Sequence, residues 1–155
     1  MPGGTGLDIE LMTELAGALG QPVEFVAYEG VHSDGIFDRL AAGDYDCVAA
    51  GTTVTPRHEH KAQFLTPYLI SGQALAVDTS RLPHVHSIED LDGLTIGVQR
   101  GLLVEHIAIA VAVADQVLAS RLQIAQAALE EAGTLQRIRR KWLGKPYVDQ
   151  SVAAL

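Results

Sequence analysis

The sequence predicts an α/β fold, and two patterns lead to this prediction. Short apolar runs of strand length alternate along the chain with segments whose apolar residues recur at helical spacing. Residues that commonly start or stop helices lie at the ends of the helical segments. Such alternation favours a mostly parallel sheet flanked by helices. The length of 155 residues and the hydrophobic content of 48% fit one folded domain.

Helical segments recur along the whole chain. The first runs from about Leu7 to Leu19. Gly6 or Thr5 suits its cap, and Gly20 suits the left-handed stop that ends many helices. The others are a short helix capped by Ser33 or Asp34 and ended by Gly43, a helix started by Thr55 and Pro56, and a single turn between Ser87 and Gly93. The longest helix is capped by Asp115, reaches about Ala132 and is stopped by Gly133, and Thr134 caps a last helix.

Apolar segments between these helices are predicted to be strands. They cover residues 23–28, 47–50, 74–77, 94–98 and 107–113. The last two follow each other with no helix between them, which is unusual in a chain that otherwise alternates. In an open α/β sheet ligands bind at the carboxyl ends of strands, so we expect a site near residues 28–32, 51–53 and 78.

The charge and cysteine content exclude several classes of function. The formal net charge of -8 disfavours nucleic acid as a partner, because phosphate binding needs clustered Lys and Arg. The single cysteine, Cys47, excludes an intramolecular disulfide and is interpreted as a small buried hydrophobe. No apolar run approaches the ~18 residues of a membrane helix. The N-terminal Met-Pro-Gly-Gly has no basic or apolar leader, so no signal peptide is expected in this chain.

The segment after the strand at 47–50 has features of an anion site. Gly51 lets a ligand approach the backbone, and Thr52 and Thr53 supply hydroxyl and N–H groups. A helix then starts, and Arg57 adds a planar guanidinium that matches a carboxylate. The alternative is a capped helix with a solvated arginine. Residue spacing leaves the two interpretations open.

Other candidate chemistry is weaker. His58 and His60 point to different faces of a predicted helix, and His84 and His86 lie in a loop with no third ligand nearby. We interpret these histidines as solvated surface rather than a metal site. Ser71 lacks the G-x-S-x-G pattern of a nucleophile elbow. We expect no catalytic residue, no metal and no cofactor.

Several stretches together resemble a known family. They are "GLDIELMTELAGALGQPVEFV", "DRLAAGDYDCVAAGTTVTPRHEHKAQFLTPYLISGQALAV", "LDGLTIGVQRG" and "HIAIAVAVADQVLASRLQIAQAALEEAGTLQRIRRKWLG". They resemble the type II periplasmic solute-binding proteins, and within these the polar amino-acid-binding family of ABC importers. The resemblance implies two α/β lobes joined by two crossing segments, with the ligand between them. It implies that the protein is not an enzyme, although some relatives of this fold are dehydratases.

The resemblance also assigns roles to residues. Arg57 would bind the carboxylate of the amino acid, assisted by Gly51, Thr52 and Thr53. Tyr28 or Phe64 would pack against its side chain. By the same comparison, Gly72 and Gln73 would lie near the hinge, and Gln99, Arg100 and Gly101 would form half of an anion site in the second lobe. Complete relatives deliver the ligand to an ABC permease, and the resemblance implies a periplasmic or extracytoplasmic location.

The chain departs from the family pattern in two places. The family's first strand has no counterpart, and most of the second lobe is missing between Gly101 and Leu102. We therefore expect a single truncated domain over 1–155, with lobe 1 formed by 5–78 and 107–144 and a lobe 2 remnant at 79–106. A lobe that cannot close over its ligand is expected to bind amino acids weakly.

The missing first strand suggests an alternative function. The segment 94–98 would fill its slot in lobe 1, in the same chain or from a second copy. The alternative is therefore a non-catalytic scaffold without ligand, made of one lobe or of a strand-exchanged homodimer.

Overall fold

The computed structural model describes residues 4–32, 34–71, 76–87, 89–97 and 106–144. Within these ranges helices and short strands combine in an α/β fold, as the sequence predicts. The helices are α1 (Leu7–Leu19), α2 (Gly35–Ala41), α3 (Pro56–Glu59), α4 (Gln116–Glu131) and α5 (Thr134–Leu143), with a 3-10 helix at Glu89–Leu91. The strands are β1 (Cys47–Val48), β2 (Gln63–Phe64), β3 (Leu69–Ile70), β4 (His106–Ile107) and β5 (Ala110–Val111).

The segment from His106 to Val111 connects most of the sheet structure. Strand β5 lies between β1 and β2, with Val111 opposite Cys47 on one side and opposite Gln63 on the other. Strand β4 pairs with β3 in a separate two-stranded sheet. The predicted strand 107–113 is therefore two short strands that lie in different sheets. The backbone between them also makes hydrogen bonds, because Ile109 O accepts from Leu65 N at 3.0 Å.

The prediction of mostly parallel pairing is wrong for the described residues, because every ladder among them is antiparallel. The cause is the position of β5 between β1 and β2. Both outer strands run opposite to β5, so they run parallel to each other without touching.

Three other predicted strands are not strands where the structure describes them. Residues 23–28 form no ladder with any described residue, and Val23 and Val26 are exposed. Residues 76–77 and 94–97 are likewise outside any strand, and the remainders of those two predicted segments lie outside the described residues. The physical reason is shared: a strand needs a neighbour for its N–H and C=O groups, and an apolar pattern alone does not supply one.

Most helix boundaries agree with the predictions. Gly20 ends α1 in the left-handed conformation with φ of 64°. Asp115 caps α4, since its carboxylate accepts from Leu118 N at 2.9 Å. Thr134 is not a cap, because α5 begins with it and Gly133 occupies the cap position at φ of 72°.

The main core lies between the sheets and a layer formed by α1, α4 and α5. Its apolar residues are spaced three and four apart on each helix and are removed from water, which is the dominant favourable term in folding. The buried members are Leu11, Met12, Leu15, Leu65, Tyr68, Ile109, Val111, Ala119, Leu122, Ala125, Leu129 and Leu135. A second cluster contains Phe37, Leu40, Val48, Ala62 and Ala110 and fixes α2 against β1.

Among the described residues, the charged side chain of Arg139 is buried. The Arg139 side chain is only 2% exposed, and it pairs with Glu130 at 2.8 Å. Its Nε also donates to Tyr68 O at 2.8 Å. The guanidinium thus links α4, α5 and the loop before β3. No described helix is both long enough and apolar enough to span a bilayer.

Candidate functional site

The loop that follows β1 contains the first part of the predicted anion site. Gly51 adopts φ of 60°, a conformation that a residue with a Cβ rarely takes. Its N–H is already used, because it donates to Asp8 Oδ2 at 2.9 Å. The other oxygen of Asp8 accepts from the Tyr68 hydroxyl at 2.6 Å. The carboxylate of Asp8 therefore holds this loop against α1 and the chain before β3.

Tyr68 is a fixed part of this arrangement. The residue is fully buried, and burial, with the nearby negative charge of Asp8, raises the pKa of its hydroxyl far above the ordinary value. The phenol therefore stays protonated and acts as a permanent donor to Asp8.

Thr52 and Thr53 have different surroundings. The Thr52 hydroxyl is buried and donates to Ala108 O at 2.6 Å, while Ala108 N donates back to Thr52 O at 3.1 Å. Thr52 thus joins the loop to the strand segment behind it. Thr53 forms an antiparallel bridge with Ile107 and is half-buried. Two of the predicted ligand contacts, Gly51 N–H and the Thr52 hydroxyl, are therefore engaged within the chain.

Arg57 lies on α3, and its guanidinium contacts the carboxylate of Asp34. The helix begins as predicted: Thr55 is its cap, and the Thr55 hydroxyl accepts from His58 N at 3.2 Å. The Arg57 side chain is 75% exposed, whereas that of Asp34 is 26% exposed. Asp34 occupies the cap position of α2 but makes no side-chain hydrogen bond there. Asp34 is thus the N-cap residue, one of the two predicted, but its carboxylate pairs with Arg57 and makes no capping bond.

His58 is part of the same group, and its interpretation as solvated surface is wrong. Its side chain is only 15% exposed. Nδ1 lies 2.8 Å from Thr53 O, and Nε2 lies 3.2 Å from Asp34 Oδ1. Because a carbonyl and a carboxylate both accept, either ring nitrogen of His58 is placed to donate a hydrogen bond to its neighbour. One face of the ring contacts Phe37 at a centroid distance of 4.7 Å. We call Asp34, Arg57 and His58 the charged triad, after the ion pair between Asp34 and Arg57.

The two aromatic residues expected to pack against a ligand, Tyr28 and Phe64, have different surroundings. The hydroxyl of Tyr28 donates to His32 O at 2.7 Å, which closes the loop before α2. Phe64 lies in β2, with its ring edge-on to Phe37 at 5.9 Å, and it packs against the second apolar cluster. Both side chains are half-buried.

Five predicted site residues lie outside the described residues. They are the hinge residues Gly72 and Gln73 and the second-lobe residues Gln99, Arg100 and Gly101.

An open depression of about 430 Å³ lies beside the loop, at the start of α1. Gly51 and Asp8 are in its lining, and Arg57 is not. Its remaining described walls are mostly apolar: Thr5, Gly6, Leu7, Ile9, Ala49, Leu69, Ile107 and Leu143. The depression and the charged triad are thus two separate features that flank the same loop.

Nucleophilic and metal chemistry have little support in this region. Burial, followed by the charge of Asp46, raises the pKa of the Cys47 thiol to about 11, so the thiol is not ionised at neutral pH. Across the described ranges, no three side chains of His, Cys, Asp or Glu come together in a way suited to a metal ion.

Sequence reasoning missed three polar residues of this region: Asp8, Asp34 and His58. Asp8 lies 43 positions before its partner Gly51. Asp34 lies 24 positions before His58. In the sequence, Asp8 has the ordinary role of an acid in the first turn of a helix, Asp34 that of a helix cap, and His58 that of a surface histidine. No local pattern predicts pairings over such separations.

A model of the bacterial extracellular solute-binding proteins, family 3, matches residues 3–145. The chain belongs to this family. Two family relatives have names that refer to a ligand. The chain is 32% identical over 126 residues to the "Probable histidine-binding protein" of Campylobacter jejuni, a match that covers 81% of this chain and 48% of that protein. It is 34% identical over 89 residues to the "Probable amino-acid ABC transporter-binding protein" of Haemophilus influenzae, covering 57% of this chain and 33% of that protein.

The family 3 chain therefore spans half or less of the length of these two relatives. Its fold is similar to that of solved binding proteins. An ancestral arginine-binding protein bound to arginine superposes with a TM-score of 0.75 at 24% identity, covering 90% of this chain and 88% of that one. This likeness confirms the predicted type II periplasmic-binding-protein architecture. Family membership also confirms the resemblance stated from the sequence.

Proposed function

We propose that the chain is the amino-acid-binding component of an ABC importer that works outside the cytoplasm. Membership of the extracellular solute-binding family supports this proposal. The names of the Campylobacter and Haemophilus relatives, which refer to histidine binding and to amino-acid ABC transport, support the ligand class and the permease as partner.

Arg57 is proposed to bind the carboxylate of the amino acid. The observation that carries this assignment is the contact between the Arg57 guanidinium and a carboxylate of the chain itself, that of Asp34. The guanidinium is therefore directed to a place where a carboxylate fits. Its exposure of 75% leaves it accessible from solvent.

The loop at Gly51, Thr52 and Thr53 is proposed to form the wall beside Arg57. Its conformation is held from behind by Asp8 and Ala108, so it is preorganised rather than formed on binding. In this proposal Thr53 is nearest to the charged triad, because its carbonyl oxygen lies 2.8 Å from the His58 ring.

The remaining predicted roles are retained as parts of the same proposal. Tyr28 or Phe64 would contact the ligand side chain. Gly72 and Gln73 would serve as a hinge, and Gln99, Arg100 and Gly101 would complete the anion site from the second lobe.

The 155-residue chain is proposed to bind amino acids weakly. It spans 48% of the Campylobacter relative, and the family's second lobe would be largely absent from it. A site open on one side leaves the ligand hydrated. Exposed ion pairs contribute only about 0–1 kcal/mol each.

Site-specific titration tests this function. Backbone amide spectra of the chain are recorded with increasing L-glutamine, L-arginine, L-histidine or L-glutamate, and the Arg57→Gln variant is compared with Arg81→Gln. We expect shifts around residues 51–57 that Arg57→Gln abolishes and Arg81→Gln leaves in place. Equal binding by both variants would remove Arg57 from the site, and the absence of shifts with all four amino acids would contradict the function.

A second candidate function is a scaffold without ligand, in the form of a strand-exchanged dimer. Two exposed apolar residues favour it: Leu94 is 37% exposed and Ile96 is 49% exposed, in a segment that pairs with no described strand. Light scattering at micromolar concentration tests it. A dimer that the Leu94→Ser, Ile96→Ser double variant converts to monomer supports this candidate, and a stable wild-type monomer rules it out.

A further inference from the structure

The carboxylate of Asp34 occupies the position that the proposed function assigns to a ligand. Oδ2 contacts the Arg57 guanidinium, and Oδ1 lies 3.2 Å from His58 Nε2. Both oxygens are thus directed at side chains of α3. At the start of α2, an Asp side chain would ordinarily cap the helix, and this one makes no such bond. The carboxylate is therefore engaged with α3 in preference to its own helix.

The pairing is weak enough to be displaced. Arg57 is 75% exposed, so water and salt compete with Asp34 for its guanidinium. A tethered group nevertheless competes strongly with a free one, because its effective concentration is about millimolar or higher. A free amino acid at a concentration below this value would encounter an Arg57 guanidinium that is already paired with Asp34.

We propose that Asp34 is a tethered competitor for the ligand carboxylate, which lowers the affinity of the site until the ligand displaces it from Arg57. This inference rests on the proposed function of Arg57. It adds a residue that sets ligand affinity and that the ligand need not contact. Displacement frees Asp34 at the start of α2, where its side chain is able to cap the helix.

A neighbouring ion pair provides a matched control. Asp38 lies one turn further along α2 and pairs with Lys61 at 2.6 Å. The pair joins α2 to the chain after α3, as the Asp34 pair joins α2 to α3, but it does not involve Arg57. Neutralising Asp38 removes the same charge from the same helix without freeing the guanidinium.

The experiment compares the dissociation constants of the wild type, Asp34→Asn and Asp38→Asn, measured by amide chemical shifts. The probes are L-glutamine and L-glutaminamide, which lacks the α-carboxylate. Asp34→Ser is a second variant, and both Asn and Ser suit a helix cap, so α2 is expected to be retained. We expect Asp34→Asn to tighten glutamine binding at least fivefold, Asp38→Asn to change it less than twofold, and glutaminamide binding to stay unchanged in both.

Three results would overturn the inference. Unchanged glutamine binding in Asp34→Asn would show that Asp34 does not compete. Weaker binding would show that Asp34 instead holds the ligand's amino group. Equal tightening for glutamine and glutaminamide would show a general loosening of the loop. If the wild type and all variants fail to bind at tens of millimolar, the proposed function fails together with the inference, whereas the first three results leave it standing.

Discussion

At the scale of single residues, several polar side chains act over long distances in sequence. Glu10 of α1 is the most connected example. It accepts from Lys141 Nζ at 2.5 Å, from Trp142 Nε1 at 2.8 Å and from Arg137 at 2.9 Å. The bond from Lys141, followed by those from Trp142 and Arg137, lowers the pKa of Glu10 from 4.5 to about 2.

The lowered pKa of Glu10 makes the free energy of unfolding depend on pH in the acid range. Its pKa is lower in the folded chain than in the unfolded one, so its contribution is fully present above about pH 4.5 and is lost as the pH falls towards 2. We expect Glu10→Gln to be less stable than the wild type at pH 7 and the difference to shrink by pH 2.5. Urea unfolding at both pH values measures it. Glu24→Gln, at an exposed position, serves as the control and should differ from the wild type by the same small amount at both pH values. A stability difference for Glu10→Gln that does not change with pH would contradict the lowered pKa of Glu10.

At the scale of elements, α4 and α5 are joined by the buried guanidinium of Arg139. Its counter-charge, Glu130, lies in the last turn of α4 and is 35% exposed. Removing the carboxylate leaves Arg139 with the Tyr68 carbonyl as its remaining described partner, in a place that excludes water. The buried positive charge of Arg139 then lacks the carboxylate that offsets its removal from water.

We predict that Glu130→Gln lowers the free energy of unfolding by about 2 kcal/mol, a typical value for a hydrogen bond to a charged group. The adjacent Glu131→Gln, on the exposed side of α4, should change it by less than about 0.5 kcal/mol. Chemical denaturation of the two variants measures the difference. Equal effects would show that the pair contributes nothing beyond surface charge.

The elements also show which features the sequence predicts. Helices α1, α4 and α5 follow from local spacing and local caps, such as Asp115 and Gly20, and these were predicted. Strand pairing depends on residues far apart in the chain. The apolar segment 94–97 has strand composition but no described partner, whereas β5 acquires two neighbours, and no local pattern separates these cases.

In the candidate site too, the features set by local sequence could be predicted and those set by distant residues could not. The loop at residues 51–53 and the start of α3 at Thr55 and Pro56 were predicted, because glycine, threonine and proline have local conformational preferences. The triad partner Asp34 and the loop anchor Asp8 were missed, because each reaches its partner only through the tertiary fold.

At the scale of the whole molecule, the chain has the architecture of a family 3 solute-binding protein in half or less of the length of the two relatives described. The charged triad and the adjoining loop lie on one part of the fold, with α2 and α3 holding opposite sides of the ion pair. We therefore predict a ligand site that is formed but open to solvent on one side. We propose that solvent exposure and the competing carboxylate of Asp34 limit its affinity.

Calorimetric titration of the 155-residue chain with arginine, glutamine, glutamate and histidine tests this central claim most directly. We predict a dissociation constant of about 1 mM for at least one of the four amino acids, which corresponds to a binding free energy of about -4 kcal/mol. Sub-micromolar binding by a monomer would contradict it, because an open half-site with exposed ion pairs cannot supply the roughly -8 kcal/mol that such affinity requires.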